Sequence, residues 1–265
     1  MSRTAARPFA PLPALVVVAG LAGATALACA PAGEGSGEDA AATSAEGAAM
    51  DDEARDGDWI ALFDGTDLSA WRGYRRQDVP AGWQVRDGLL VYDPSAGDGG
   101  DLVTRETFGD FELELDWRVE PGGNSGIFYR ADEEADAIWH HAPEMQVLDD
   151  EAHADGASGL TSAGAAYGLY PASEDVVNPA GEWNHVRVVA RGPRVEHWMN
   201  GTKIVEYEVG SEDWDRRVAD SKFAEYPRFG EATAGRIGLQ DHGDTVWFRD
   251  IRIRRLEPEN GGEDG

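Results

Sequence analysis

The stretch Phe111–Val119 alternates between apolar and charged residues without interruption, and it constrains the fold more than any other part of the sequence. Residues 111, 113, 115, 117 and 119 are apolar, and every residue between them is charged. Successive side chains of a β-strand point to opposite faces, so this period of two predicts a strand with one buried and one exposed face. Such strands are typical of antiparallel sheets that cover a core with one face.

Turn signals and short apolar stretches extend this prediction along the chain. Asp87-Gly88 and Asn200-Gly201 each separate two strand-like stretches, and both dipeptides favour tight hairpin turns. The best candidate for a short helix is 213–224. Further strands are predicted at 126–130, 144–148, 184–190, 235–240 and 245–255. These patterns predict an all-β fold, a two-sheet antiparallel β-sandwich in which the loop-rich stretch 149–182 folds over one face.

The N-terminal residues read as a targeting segment. Residues 1–28 hold Arg3 and Arg7 ahead of an apolar stretch, which is the layout of a secretory signal peptide. The single cysteine of the chain, Cys29, follows small residues at the expected cleavage point, so we interpret it as the lipid-modified cysteine of a bacterial lipoprotein. Cleavage at the same bond by ordinary signal peptidase, leaving a soluble secreted protein, is the alternative. Both readings predict export to the periplasm or outer cell envelope.

Composition and charge delimit the folded part and its partners. Residues 29–58 are acidic, rich in Ala and Gly and free of aromatic residues, so we expect a flexible tether there and a disordered tail at 257–265. The predicted sandwich therefore occupies 59–256, which holds all nine tryptophans. A net charge of −27 argues against nucleic acid and anionic lipid as partners, and predicts membrane contact only through the lipid anchor. Polyanionic substrates are disfavoured, and neutral substrates remain open.

Two predicted strands carry polar residues where a purely structural strand would be apolar. A glycine-rich turn places Asn124 at the mouth of the strand at 126–130. In the strand at 144–148, alternation puts Glu144 and Gln146 on one face and apolar residues on the other. A sheet face with these two side chains is either solvated or the floor of a ligand groove.

A polar turn near the end of the folded part provides a third group of candidates. Gln240 leaves the non-core face of a predicted strand and leads directly into Asp241 and His242. The simpler reading is a solvated hairpin turn, which favours the same residue types. Tyr167, in a predicted loop, could stack on a sugar ring or cover the edge of the core.

The motifs resemble, in order, those of the 3-keto-disaccharide hydrolase domain family. They are Asn-Ser-Gly-Ile-Phe-Tyr-Arg at 124–130, Pro-Glu-Met-Gln-Val-Leu-Asp at 143–149, Tyr-Gly-Leu-Tyr at 167–170, Gly-Glu-Trp-Asn at 181–184, His-Trp-Met-Asn-Gly at 197–201, Gly-Leu-Gln-Asp-His-Gly at 238–243 and Val-Trp-Phe-Arg-Asp-Ile-Arg-Ile at 246–253. The resemblance implies a concanavalin A-like sandwich (jelly roll) in an exported bacterial protein. It also implies action on glycosides whose sugar ring has been oxidised to a 3-ketone, and a partner oxidoreductase that makes this ketone.

A ketone at C3 acidifies the hydrogen on C2, so a base can remove it and the C1 substituent can leave by elimination, followed by addition of water. This route needs a base, an acid for the leaving group and donors for the enolate oxygen. We expect Glu144 and His242 to be the base and the acid, with Asp241 or Asp149 orienting the imidazole. The residues expected to bind substrate are Asn124, Tyr129, Gln146, Asp149, Tyr167, Gln240 and Asp241. No cofactor is predicted, and a divalent cation that polarises the ketone is the alternative.

Two other function classes stay open at the level of sequence. The spacing Glu144-x-Gln146-x-x-Asp149 is similar to the carboxylate pattern of retaining glucanases, although Gln146 replaces a carboxylate. A lectin-like module, which binds carbohydrate without cleaving it, would use the same polar groove. A pair of titratable groups such as Glu144 and His242 favours an enzyme over a binding module.

Overall fold

The computed structural model describes residues 57–257. The predicted signal peptide, Cys29, all but the end of the tether and all but the first residue of the tail lie outside these residues. Within them, strands β1 to β13 span, in chain order, Ile60–Phe63, Trp71–Gly73, Trp83–Arg86, Leu89–Tyr92, Leu102–Thr104, Phe111–Val119, Asn124–Ala131, Glu144–Leu148, Asn184–Arg191, Arg194–Met199, Thr202–Glu208, Arg236–Leu239 and Val246–Arg255.

The strands form two antiparallel sheets. The larger sheet has the order β11-β10-β9-β6-β13-β4-β3, with β1 pairing on β13, and the smaller sheet has the order β2-β5-β12-β7-β8. The predicted hairpins form at Asp87-Gly88, between β3 and β4, and at Asn200-Gly201, between β10 and β11. The two-sheet antiparallel β-sandwich predicted from the sequence is confirmed.

Strand β6 lies near the middle of the larger sheet and shows why the sequence alternates there. Leu113, Leu115 and Trp117 are completely buried in the core between the sheets. On the other face, Asp116 contacts Arg249 of β13, and Glu112 contacts Arg254. The buried positions hold the sheets together, and the opposite face is covered by cross-strand ion pairs.

Helical structure is sparse in the described part of the chain. One α-helix, α1, spans Glu212–Ala219 and is capped by Ser211, whose hydroxyl accepts a hydrogen bond from the amide of Trp214 at 3.2 Å. The predicted helix at 213–224 is therefore shorter than expected, since a separate 3₁₀ turn, Lys222–Glu225, follows it. Two further 3₁₀ turns span Ile138–His140 and Ala154–Ala157. None of the helices in residues 57–257 has the length and apolar character needed to cross a membrane.

The loop-rich stretch 149–182 runs along the outer edge of β8. The backbone N–H of Gly164 donates to the backbone carbonyl of Gln146 at 2.8 Å, and the backbone N–H of Tyr167 donates to the backbone carbonyl of Glu144 at 3.0 Å. The β8 edge would otherwise present unpaired backbone groups. The same hydrogen bonds bring Tyr167 next to the side chains of β8.

Candidate active site

A cavity of about 260 Å³ lies on the face of the smaller sheet that points away from the main core. Met145 and Val147 of β8 point into the main core, and Glu144 and Gln146 therefore point into this cavity, as the alternation predicts. The residues that line it are Asn124, Trp139, Glu144, Gln146, Tyr167, Lys222, Gln240 and His242. Six separate segments of the chain thus contribute to one site.

Glu144 is buried at the base of the cavity, above the backbone of Gly126. A Cβ atom at Gly126 would lie 1.9 Å from Oε1 of Glu144 and 2.7 Å from its carboxyl carbon, so only glycine leaves room for this carboxyl group. Burial raises the pKa of Glu144 to about 8, and the nearby Asp101 and Asp155 add to this effect, whereas Lys222 opposes it. Glu144 is therefore a stronger base than an ordinary carboxylate.

Three amide side chains around Glu144 are buried with polar atoms that have no hydrogen-bond partner. These atoms are Oδ1 of Asn124, Oε1 of Gln240, and both Oε1 and Nε2 of Gln146. Buried polar groups in folded proteins are nearly always bonded, so a group of exceptions around one cavity indicates where a ligand binds. The backbone of Gln240 is held by a hydrogen bond, in which its main-chain N–H donates to the carbonyl of Gly126 at 2.9 Å.

Residues from a loop and from two 3₁₀ turns complete the cavity. The ring of Tyr167 is anchored through its hydroxyl, which donates to Oδ2 of Asp155 at 3.1 Å. Nζ of Lys222 lies 4.3 Å from the centre of this ring and 5.0 Å from that of Trp139. Neither Trp139 nor Lys222 is among the site residues predicted from the sequence. One sequence signal could have found the latter, because Lys222 is one of only two lysines among 23 basic residues.

His242 stands at the exposed mouth of the cavity. Its nearest carboxylate is Asp244, with Nδ1 and Oδ2 3.9 Å apart, and its ring centre lies 6.1 Å from that of His153. The expectation that Asp241 or Asp149 orients the imidazole is wrong. Asp244 is the carboxylate in a position to do so, and its Oδ2 also accepts the amide of Asn124 at 3.1 Å.

Asp241 and Asp149 do not line the cavity, because backbone amides of neighbouring turns bind their carboxylates. Oδ2 of Asp241 accepts from the amide of Gly100 at 2.7 Å, and its Oδ1 accepts from that of Gly243 at 2.9 Å. Oδ2 of Asp149 accepts from the amide of Gly122 at 2.7 Å. Both aspartates shape the turns around the site, and the prediction that they bind substrate is not supported by their positions.

Tyr129 was predicted to bind substrate, and its position in the structure contradicts this prediction. It points into the core between the sheets and is 1% exposed. Its hydroxyl lies 2.8 Å from Nε2 of His197 and 2.5 Å from the hydroxyl of Tyr207. Strand β7 alternates Asn124 outward and Ile127 inward, so Tyr129 shares the inward face and cannot reach a ligand in the cavity.

The other histidines have partners elsewhere. His141 contacts Asp132, His185 contacts Asp116, and the ring of His140 stacks on Tyr226. Across residues 57–257, no three His, Cys, Asp or Glu side chains are grouped in a way that could hold a metal ion.

Known proteins are similar to this chain over about three quarters of its length. A 3-keto-disaccharide hydrolase of Bacteroides thetaiotaomicron is 36% identical over 228 residues, which cover 75% of this chain and 79% of the relative. A candidate glycosyl hydrolase from Parabacteroides distasonis has a solved structure that is 34% identical, with a TM-score of 0.70, over 76% of this chain and 94% of that one. A second candidate glycosyl hydrolase from the same species is 31% identical, with a TM-score of 0.57, over 75% of this chain and 100% of its own.

The family match spans nearly the whole described sandwich. Residues 58–254 match the model of the 3-keto-alpha-glucoside-1,2-lyase-like domain, from just before β1 to near the end of β13. The matched region contains all eight residues that line the cavity. The resemblance drawn from the sequence motifs is confirmed, and the chain belongs to the 3-keto-alpha-glucoside-1,2-lyase-like domain family.

Proposed function

We propose that this protein cleaves the glycosidic bond of glycosides whose sugar ring carries a ketone at C3. Family membership and the name of the Bacteroides relative support this substrate class. The observation that carries the proposal is the composition of the cavity. Glu144 is the single carboxylate among the eight lining residues, its pKa is about 8, and the groups around it are amides, aromatic rings, one lysine and one histidine.

This composition fits elimination next to a ketone. The carboxylate of Glu144 takes the proton from C2, for which its raised pKa suits it. The electron pair forms the enolate of C2 and C3, and its collapse breaks the bond between C1 and the leaving oxygen. His242, at the mouth of the cavity, can donate a proton to that oxygen. Water then adds to C1, and C2 recovers a proton, so the net reaction is hydrolysis.

The glucanase alternative does not fit the positions of the carboxylates. Retaining and inverting glycosidases use two carboxyl groups that flank the scissile bond. Asp149, the second candidate in the sequence pattern, is bound to the amide of Gly122 and does not line the cavity. Gln146, between them in sequence, carries no charge.

A binding module would also use amides and aromatic rings, but it has no need of a carboxyl group with a strongly raised pKa. Such groups in a cleft are typical of catalytic sites. The cavity volume of about 260 Å³ is below the usual range of about 300–1,000 Å³ for ligand pockets, which favours one sugar ring over a long glycan.

The test uses matched substrates. The purified protein is incubated with 4-nitrophenyl 3-keto-glucoside and with 4-nitrophenyl glucoside, in both anomeric forms, and nitrophenol release is measured. We expect release from a keto substrate and none from the hydroxy substrates. Cleavage of a hydroxy substrate, with the keto substrates untouched, would refute the proposal. In D₂O, deuterium at C2 of the product distinguishes elimination and hydration from direct hydrolysis.

We also propose that the protein is exported and anchored to the cell envelope by a lipid on Cys29. The apolar stretch before Cys29, and its position as the one cysteine of the chain, support this. Metabolic labelling with radioactive palmitate should label the wild type but not a Cys29→Ala variant. A Cys29→Ala protein that still partitions with membranes would argue against the anchor.

The proposed substrate requires a second enzyme in the same compartment. Ordinary glycosides carry a hydroxyl at C3, so an oxidoreductase must first remove two electrons and two protons from this position. Such a partner follows from the substrate class. It is tested by asking whether cell-envelope extract plus an electron acceptor makes unoxidised glucosides cleavable by the purified protein.

A further inference from the structure

Lys222 is the cationic side chain of the cavity, and its surroundings suggest a specific role. It begins the 3₁₀ turn Lys222–Glu225, directly after Ser221, whose hydroxyl caps this turn by accepting from the amide of Phe223 at 3.1 Å. The turn therefore fixes the point at which the lysine side chain leaves the backbone. The other lysine of the chain, Lys203, lies on β11 of the larger sheet, away from the cavity.

Aromatic rings hold the ammonium group of Lys222 in place. Its Nζ lies 4.3 Å from the ring centre of Tyr167, 5.0 Å from that of Trp139 and 5.2 Å from that of Phe223. Contacts of this kind attract a cation to the face of a ring. Three rings around one ammonium group favour its charged form and restrict its position.

Among residues 57–257, the ammonium group of Lys222 makes no hydrogen bond and has no carboxylate oxygen within 4.0 Å. All three of its N–H bonds are therefore available to a ligand in the cavity. Burial lowers the pKa of Lys222, and the attraction of Glu144 and Asp155 opposes this effect. This balance indicates that the two carboxylates are near enough to be felt but do not neutralise the lysine by direct contact.

We propose that the ammonium group of Lys222 binds the C3 carbonyl oxygen of the substrate and neutralises the negative charge that this oxygen gains when C2 loses its proton. This role rests on the proposed 3-keto substrate. Among the eight residues that line the cavity, the amides are neutral and His242 stands at the mouth, so Lys222 is the group best suited to face an oxyanion.

The charges in the cavity balance through the reaction. The reaction starts from the form in which Glu144 is an anion and Lys222 a cation, and the share of anionic Glu144 grows as the pH rises towards its pKa of about 8. The bond between C2 and hydrogen breaks, the proton moves to Glu144, and the electron pair forms the enolate with its charge on the C3 oxygen. The negative charge has then moved from Glu144 to the substrate, and Lys222 interacts with it in either place. When the bond from C1 to the leaving oxygen breaks, the ketone is restored and the charge leaves with that oxygen, which takes up a proton.

The experiment compares three variants of the full-length protein on 4-nitrophenyl 3-keto-glucoside. Lys222→Met keeps the length and apolar stem of the side chain but removes the charge, and Lys222→Arg keeps the charge. Lys203→Met is the matched control, because it removes the other lysine, which contacts Trp198, Glu196 and Glu206 on the larger sheet. The readouts are kcat, KM and the exchange of the C2 hydrogen for deuterium in D₂O, followed by NMR.

We expect Lys222→Met to lower both kcat and the rate of C2 exchange at least 100-fold, with KM changed less than threefold, because the interaction strengthens as charge develops on the oxygen. Lys222→Arg should retain at least ten times the kcat of Lys222→Met. Lys203→Met should stay within twofold of the wild type.

Several outcomes would overturn the role. One is a kcat of Lys222→Met within threefold of the wild type, and another is a change confined to KM, which would make Lys222 a ground-state contact only. Circular dichroism and thermal unfolding establish that each variant is folded. If Lys222→Met does not fold, Lys222→Ala is assayed with and without added ethylammonium. The role requires that the added amine raise the kcat of this variant at least tenfold. A wild type that leaves the keto substrate intact would instead refute the proposed function itself.

Discussion

Two clusters of buried polar side chains lie on opposite faces of the smaller sheet, and they differ in how their hydrogen bonds are used. The core cluster, between the sheets, consists of Tyr129, His197 and Tyr207. The cavity cluster, on the other face, consists of Glu144 and the amide side chains of Asn124, Gln146 and Gln240. Both contain a titratable group whose pKa is strongly shifted by burial.

The core cluster is fully bonded. Burial lowers the pKa of His197 to about 4, so its ring is neutral at pH 7. Its Nδ1 then donates to the carbonyl of Gly164 at 3.0 Å, and its Nε2 accepts from the hydroxyl of Tyr129 at 2.8 Å. These bonds join β7, β10 and the segment along β8, and they stabilise the fold.

The cavity cluster leaves several buried polar atoms unbonded, and within residues 57–257 the carboxyl group of Glu144 makes no hydrogen bond. A shifted pKa alone therefore does not separate a catalytic group from a structural one. The distinguishing property is whether the neighbouring polar atoms already have partners. If this property separates the two clusters, substitutions in the cavity cluster should affect turnover, and substitutions in the core cluster should affect stability.

The largest effect is expected for Glu144→Gln, which removes the base but keeps the size of the side chain. Turnover of the 3-keto substrate should fall about 10³-fold, equivalent to about 4 kcal/mol in the activation barrier. Steady-state kinetics measures the loss, and circular dichroism checks that the fold is intact. Wild-type turnover in this variant would remove Glu144 from the mechanism.

For the core cluster, His197→Ala should affect stability instead of chemistry. The variant leaves a cavity and deprives the hydroxyl of Tyr129 and the carbonyl of Gly164 of their partner, so we expect a loss of about 3 kcal/mol in the free energy of unfolding. Urea denaturation followed by tryptophan fluorescence measures this loss. A variant as stable as the wild type but without activity would contradict the purely structural role of His197.

A smaller effect is expected for His242→Ala, at the mouth of the cavity. Turnover should fall about tenfold, or about 1.4 kcal/mol, because water can partly replace an exposed proton donor. Substrates with more acidic leaving groups should be affected less, which a series of substituted phenyl 3-keto-glucosides measures. An equal loss across the series would contradict the role of acid.

The smallest effect is a difference in pH response. The pKa of Glu144 is raised to about 8, so the stability linked to its neutral form is lost as the pH rises through 8. The pKa of His197 is lowered to about 4, so stability is lost as the pH falls from about 6.5 through 4. Relative to the wild type, Glu144→Gln should therefore gain about 1 kcal/mol or more at pH 9 and little at pH 5, measured by urea denaturation. The same gain at both pH values would contradict the shifted pKa.

Sequence patterns predicted the elements whose faces differ in polarity. In β8, Glu144 and Gln146 alternate with Met145 and Val147. Because successive side chains of a strand point to opposite faces, the sequence alone assigns the two polar residues to one face and the two apolar residues to the other. Gln240 was placed correctly for the same reason, as the residue after Leu239 on an alternating strand.

Alternation gave no guidance in β7, because polar and apolar residues do not alternate there. The residues from Gly126 to Tyr129 include no charged or amide side chain, so the sequence does not show that Tyr129 faces the core. The aspartates failed for another reason, since a short carboxylate in a turn can bind nearby backbone amides in place of a ligand, as Asp149 and Asp241 do. Trp139 and Lys222 reach the cavity from two 3₁₀ turns, and no local pattern encodes such long-range contacts.

The segment along β8 has a consequence for self-association. By bonding to the backbone of Glu144 and Gln146, it occupies the edge at which another chain could add a strand. His197 of the core cluster fixes the same segment through the carbonyl of Gly164. If this segment opened, the strand that bears Glu144 would become a free edge for intermolecular pairing, so inactivation and aggregation would begin with the same event.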